Sequence, residues 1–216
     1  MPGKLLNDIL LYSIKYFRAA QALLDTSDCR DITSLQTIVS IIIYLQSSGL
    51  MHACYSYISI AISVSLQMGL HRSTASKHLD PVQQEIRKRI FWIIQTMETY
   101  VTTLLGLPTT LNDDDIDQDL PLCINDECLG PNGLVPNPDQ STPSMAVVIA
   151  HIKLLLIMRN IRKEIYPRAK QLGGKNNEPY RVNYAQIIKI EAALDEWFRN
   201  IPVPTESENI QPDALR

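Results

Sequence analysis

An all-α fold is predicted by three features of this 216-residue chain. Apolar residues recur at spacings of three and four, helix start and stop signals fall between those runs, and no strand pattern of period two survives. Leu6, Ile9, Leu10, Phe17, Ala20, Leu23 and Leu24 mark one face of a first helix. Asp31 or Thr33 can cap a second, which carries Leu35, Ile38, Val39, Ile42 and Leu45 and stops at Gly49. The short step to Met51 predicts an antiparallel pair with a third helix, striped by Cys54, Tyr55, Ile58, Ala61, Ile62, Ser65 and Met68 and closed by Gly69.

The fourth helix has the clearest start. Asp80 is placed to cap it, Pro81 occupies the first helical position, and Glu85 is expected to favour the positive N-terminal end. Ile86, Ile90, Ile93 or Ile94, Met97, Val101 and Leu104 form its apolar face, and Gly106 and Pro108 stop it. From Gly106 to Ser144 the chain is Pro-rich and acidic, with no Lys or Arg, which predicts an extended connection lying over the helices. Val147, Val148, Ile149, Ile152, Leu155, Leu156 and Ile165 predict a fifth helix ending before Pro167. After a turn at Gly173–Asn177, Val182 to Phe198 reads as a sixth, with Ile187, Ile188, Leu194 and Trp197 inward.

Composition narrows the function classes. Hydrophobic residues at 45% suffice for a substantial core, while a net charge of −3 and a pI near 5.8 argue against a stand-alone nucleic-acid binder. Cys29, Cys54, Cys123 and Cys128 stand apart with no secretory signal before them, so reduced thiols are expected. The apolar runs 38–45 and 147–158 fall short of the roughly 20 residues that cross a bilayer, and the second contains His151 and Lys153; no membrane association is expected.

Few motifs carry chemistry. Asp113, Asp115 and Asp117 begin like a calcium loop, but Gln118 and Ile124 stand where such a loop needs glycine and glutamate. An aspartate-rich magnesium motif of isoprenoid synthases needs carboxylates four apart on one helix face, whereas Pro108 and Pro121 bracket this run as a loop. Its carboxylates are expected to cap the next turn or to face basic helices, through Arg87, Lys88 and Arg89 or Arg159, Arg162 and Lys163. The Arg87-Lys88-Arg89 run itself reads as a solvated face beside the core aromatics Phe91 and Trp92. His71 and Arg72 suit the negative pole at the end of the third helix. Cys123 and Cys128 lack the second pair of ligands that structural zinc requires. No catalytic, cofactor-binding or metal-binding residue is therefore assigned.

The order of one set of residues is more telling. Gly69-Leu70-His71-Arg72 is followed by Glu85, Arg87-Lys88-Arg89 and Phe91-Trp92, then by Gly106 and Pro108, Asp115 and Asp117, and Leu120-Pro121. This series resembles the middle homology region of fungal zinc-cluster transcription factors, a regulatory domain of the xylanolytic-activator type. The resemblance is clear over about residues 31–121, departs mildly at Leu107 and Glu98, and fades on both sides. The segment Asp31–Gln36 with Cys54-Tyr55 is most similar to regulators of acetate use and drug sensitivity.

The resemblance implies a nuclear, non-enzymatic regulator of RNA polymerase II transcription, restraining or reporting on an activator in concert with transcriptional co-regulators. It implies a small effector between the helices, where Tyr55, Tyr57, Met68, Trp92, Met97 and Tyr100 are candidate lining, although at helical spacing they read first as core. The six cysteines of the zinc cluster, spaced C-x2-C-x6-C in each half, do not occur here. DNA contact and zinc thus belong to a module outside this sequence, and a fragment of a longer regulator is expected. The expected layout is one domain of stacked antiparallel helical pairs. An N-terminal helix and linker occupy 1–30, the core of the homology region 31–121, the Pro-rich connection 122–144, further helices 145–200, and a disordered tail 201–216. Two other readings are a helical protein-interaction scaffold without an effector, and a magnesium-dependent isoprenoid-type enzyme using Asp113–Asp117.

Overall fold

The computed structural model describes residues 2–26, 28–130, 133–135, 142–165 and 183–202. The turn expected at Gly173–Asn177, Pro167, Val182 and most of the expected tail lie outside these residues. Six α-helices dominate: α1 Pro2–Leu23, α2 Ile32–Ser47, α3 Met51–Gln67, α4 Pro81–Leu105, α5 Ser144–Ile165 and α6 Tyr184–Arg199. The chain divides into two compact units, Met1–Asp119 and Leu120–Arg216.

In the first unit, local signals set each helix end. Asp31 accepts a hydrogen bond from the Ser34 N–H at 2.9 Å and so caps α2, while Asp80 accepts from the N–H groups of Val82 and Gln83 at 3.0 Å each and caps α4. Gly49, Gly69 and Gly106 take the left-handed conformation just after α2, α3 and α4, with φ of 72°, 72° and 67°. Three residues join α2 to α3, and the two pack along their length as an antiparallel hairpin. α4 packs on α3 and reaches α2, and α1 lies on α2, where Phe17 stacks on Tyr44 at 4.5 Å.

The core of this unit is where periodicity places it. Leu35, Ile38, Ile42 and Leu45 of α2, Cys54, Ile58, Ala61 and Ile62 of α3, and Ile90, Phe91, Ile94 and Val101 of α4 are all buried. Each large apolar side chain contributes about 1.5–3 kcal/mol through its removal from water. α4 departs from the apolar template, because Gln95, Glu98, Thr99 and Thr102 are buried along the same helix. The hydroxyls of Thr99 and Thr102 satisfy themselves on the carbonyls of Gln95 and Glu98, four residues back, at 2.8 and 2.7 Å. Leu104, expected inward, is exposed at the C-terminal end of the stripe.

In the second unit α5 packs on α6, where the Trp197 indole N–H donates to the Ala150 carbonyl at 2.7 Å. Ile152, Leu155 and Ile190 are buried. Val147, Val148 and Ile188, expected on the inner faces, are exposed instead. α5 is long and apolar enough to cross a membrane by length and composition, beyond the 147–158 run that periodicity marked. A two-residue antiparallel ladder pairs Leu129 with Leu134 and Gly130 with Gly133, a strand element too short for a period-two pattern to register.

Candidate functional site

Most of the residues singled out in the sequence meet around one end of the α3–α4 pair, where the acidic loop after α4 returns across it. This is the opposite of a catalytic constellation: side chains reach mainly for backbone. Asp117 donates its own N–H to the His71 carbonyl at 3.1 Å, and its carboxylate accepts the Ser73 N–H at 2.8 Å. The next residue, Gln118, is buried and donates its side-chain amide to the Leu70 carbonyl at 2.7 Å. Trp92, buried on α4, donates its indole N–H to the Asp119 carbonyl at 2.8 Å. Farther up the loop the buried Glu98 carboxylate accepts the Thr110 N–H, and the Tyr55 hydroxyl donates to the Pro108 carbonyl at 3.4 Å. The segment 108–119 is thereby strapped over α3 and α4, joining positions 12 to 53 residues apart in sequence.

The basic run is built into this brace rather than solvated. Arg87 donates Nη2–H to the Met68 carbonyl at the end of α3 at 2.7 Å and Nε–H to the Ser76 hydroxyl at 3.2 Å. Burial pulls its guanidinium below the ordinary arginine value. Lys88 faces the Asp119 carboxylate at 3.9 Å, and Arg89 pairs with Glu85 at 2.8 Å. Glu85 is therefore not a helix-end charge: it is buried one turn inside α4, held there by its i,i+4 cation. A solvated face was expected because three consecutive cations ordinarily seek water. Here the lysine and arginine stems cover apolar surface while their ends find oxygens.

His71 also differs from its expected role. Its carbonyl takes part in the brace, but its Nδ1 is buried without a hydrogen-bond partner among the described residues, and Arg87 answers the α3 carbonyl instead. Arg72 contributes its carbonyl to the turn of Ser73–Ser76. Asp113–Asp115 form an exposed 3₁₀ turn, in which the Asn112 amide donates to the Asp115 carboxylate at 3.4 Å, so a helical i,i+4 carboxylate pair does not form there. Asp117 caps not the turn that follows it, as expected of the acidic loop, but that of Ser73–Ser76, 44 residues earlier, and contact with the basic helix comes from Asp119. Leu120 and Pro121 lie in the second unit. Among the described residues no group of three or more His, Cys, Asp or Glu is placed to hold a metal ion, and all four cysteines are free thiols.

Beside the brace a half-open cavity of about 400 Å³ is lined by Arg30, Gln67, Met68 and Arg87. Of the residues weighed as effector contacts only Met68 lines it. Trp92 and Met97 belong to the core, Tyr57 accepts a hydrogen bond from the Gln21 amide, and Tyr100 is exposed. Gln118, Thr110, Ser73 and Ser76 were not singled out by sequence. Glu98 could have been, as a charged residue in the register of Ile94 and Val101.

Comparison with known proteins gives this geometry a context. The family described as a fungal specific transcription factor domain matches residues 4–199. The chain is 38% identical over 213 residues to activator of stress genes protein 1 of Candida albicans, covering 93% of this chain and 21% of that protein. It is 34% identical over 207 residues to activator of stress genes 1 of Saccharomyces cerevisiae, covering 94% and 21%, and 26% identical over 169 residues to the transcriptional activator protein acu-15 of Neurospora crassa, covering 78% and 17%. The chain thus spans about a fifth of the length of these curated relatives. No solved structure matches it.

Proposed function

The chain belongs to the family of the fungal specific transcription factor domain, and on that premise we propose that it is the effector-responsive or inhibitory segment of a zinc-cluster transcription factor. It acts in the nucleus, without catalysis, and reaches DNA and co-regulators as part of a longer protein whose zinc cluster lies outside this sequence. The observation that carries this reading is the brace. The residues of the family-like series are spent on each other and on backbone groups, which builds a helical body with a strapped loop and leaves no nucleophile–base pair among these described residues. Such a body regulates by having two arrangements, strap closed and strap released, between which a ligand or partner chooses through unequal affinity. A tenfold change in output needs only about 1.4 kcal/mol of differential binding.

The test places the full 216-residue chain between a heterologous DNA-binding domain and an activation domain in yeast. Several-fold lower reporter output than the same fusion without the chain is expected, with relief when the strap is loosened by Asp117→Ala. Equal output with and without the chain would refute the regulatory reading. A scaffold that binds a protein partner is the second reading. Val147 and Val148 on α5 and Ile188 and Phe198 on α6, all exposed, favour it.

A further inference from the structure

We propose that the cavity between the loop before α2, the end of α3 and the start of α4 binds a small organic acid, with its carboxylate on Arg87 and Arg30 closing from the opposite wall. This deepens the effector-responsive reading by naming the chemical class of the effector.

Three successive cations follow at the end of α4's second turn, and two of them have carboxylates: Asp119 for Lys88 and Glu85 for Arg89. Arg87 has none among the described residues, although it is half-buried. Its two hydrogen bonds, to the Met68 carbonyl and the Ser76 hydroxyl, are both to neutral oxygens. They engage two of five N–H donors and fix the plane of the guanidinium, leaving three donors on a rigid fork at the cavity wall. A partly desolvated cation fixed in this way and left without a counter-charge is matched by a planar anion that accepts two parallel N–H bonds.

The rest of the lining agrees. Arg30 is held only by a 3.7 Å contact to Asp28, with both side chains 79% exposed, so it can turn inward at little cost. Gln67 adds an amide that donates and accepts, and Met68 an adaptable thioether wall. Among the described residues no acidic side chain lines the cavity. Its volume of about 400 Å³ falls in the range of small-molecule sites and exceeds what a bare inorganic anion fills. The methionine wall likewise asks for carbon. An acid with a short apolar body, and with two carboxylates where both arginines engage, satisfies every group present.

The experiment is calorimetric titration of the full chain with succinate, with uncharged succinamide and with inorganic phosphate. Saturable succinate binding near or below about 1 mM is expected, with none for succinamide. Arg87→Lys keeps the charge and a donor for the Met68 carbonyl but loses the fork, and is expected to weaken binding at least tenfold. Arg30→Ala, whose wild-type side chain makes only the loose Asp28 contact, is expected to weaken it several-fold with an unchanged melting temperature. No saturation with succinate, or equal affinity in both variants and wild type, overturns the site. Tighter binding of phosphate than of succinate overturns the organic-acid assignment. A fusion reporter that is still repressed and still responsive in cells carrying Arg87→Lys overturns the site while leaving the regulatory reading standing. Loss of repression in the wild-type fusion would sink that reading without touching the calorimetry.

Discussion

Replacing Gln118 by methionine would test the brace at a buried donor that no helix supplies. In the structure the Gln118 amide donates to the Leu70 carbonyl at 2.7 Å, and no other partner for that carbonyl occurs among the described residues. Leu70 is itself fully buried, so water cannot replace the lost donor. A buried carbonyl left unsatisfied costs about 1–3 kcal/mol. The Arg72 carbonyl, 3.5 Å from the same amide, adds little because that distance is at the limit of a hydrogen bond. Methionine has similar length and is apolar, and its burial returns about 1 kcal/mol. The net expectation for Gln118→Met is a loss centred on about 1 kcal/mol, or roughly 2–4 °C in melting temperature for a chain of this size. Because the loss is local, the amides of Ser73 and Asp117, which close the strap, should exchange with deuterium about fivefold faster than in the wild type, while those in the middle of α2 keep their rates. Exchange of both amides within about twofold of wild type, with an unchanged melt, would show that Gln118 does not hold the strap.

Three further outcomes are expected. A Cβ on Gly49 would meet nothing within 4 Å, whereas one on Gly69 would lie 3.0 Å from the Ala75 Cβ, although both residues have φ of 72°. Gly49→Ala should therefore cost about 1–2 kcal/mol for the left-handed backbone alone and Gly69→Ala more, with Ala75→Gly recovering the excess; denaturant melts of the three variants check this. Glu85→Leu leaves the Arg89 guanidinium, only 12% exposed, without its carboxylate and should cost about 3 kcal/mol, while the double variant Glu85→Leu/Arg89→Met should recover most of that in the same melts. Burial pushes the Cys54 thiol up to about 11, and Cys123 is exposed. Iodoacetamide at about pH 8 should therefore label Cys123 well before Cys54, and peptide mass spectrometry showing equal rates would contradict the fold around Cys54.

Helix ends were legible because their causes are local. Asp31 and Asp80 act on N–H groups two or three residues away, and Pro81, Gly49, Gly69 and Gly106 act through their own backbone. The buried apolar faces of α2 and α3 followed from spacing for the same reason. Legibility failed where a polar residue enters the interior. Glu85, Gln95 and Glu98 all read as surface in a hydrophobic pattern, yet they are buried, Glu85 against the Arg89 guanidinium and Glu98 beneath the Thr110 N–H. The brace was invisible for a further reason: its acceptors are backbone carbonyls at Met68, Leu70 and His71, and a carbonyl carries no signature in the sequence. The family-like series contains residues of the brace but carried no roles for them: Arg87 read as part of a solvated face and Trp92 as core or cavity lining, whereas both donate to backbone carbonyls. On α5 the apolar period was read correctly, while the choice of inward face at Val147 and Val148 was not, because periodicity fixes a stripe and not its width.

The strap is fastened on both sides of its exposed tip. Thr110 is held by Glu98 before the Asp113–Asp115 turn, and Asp117, Gln118 and Asp119 are held by Ser73, Leu70 and Trp92 after it. A break in the covalent chain at Asp114 would thus leave two stumps, each still tied to the helices. A protease that nicks the turn would cut the polypeptide without opening the body, and a peptide tag or a small folded domain could be spliced in at that point with the rest of the unit intact.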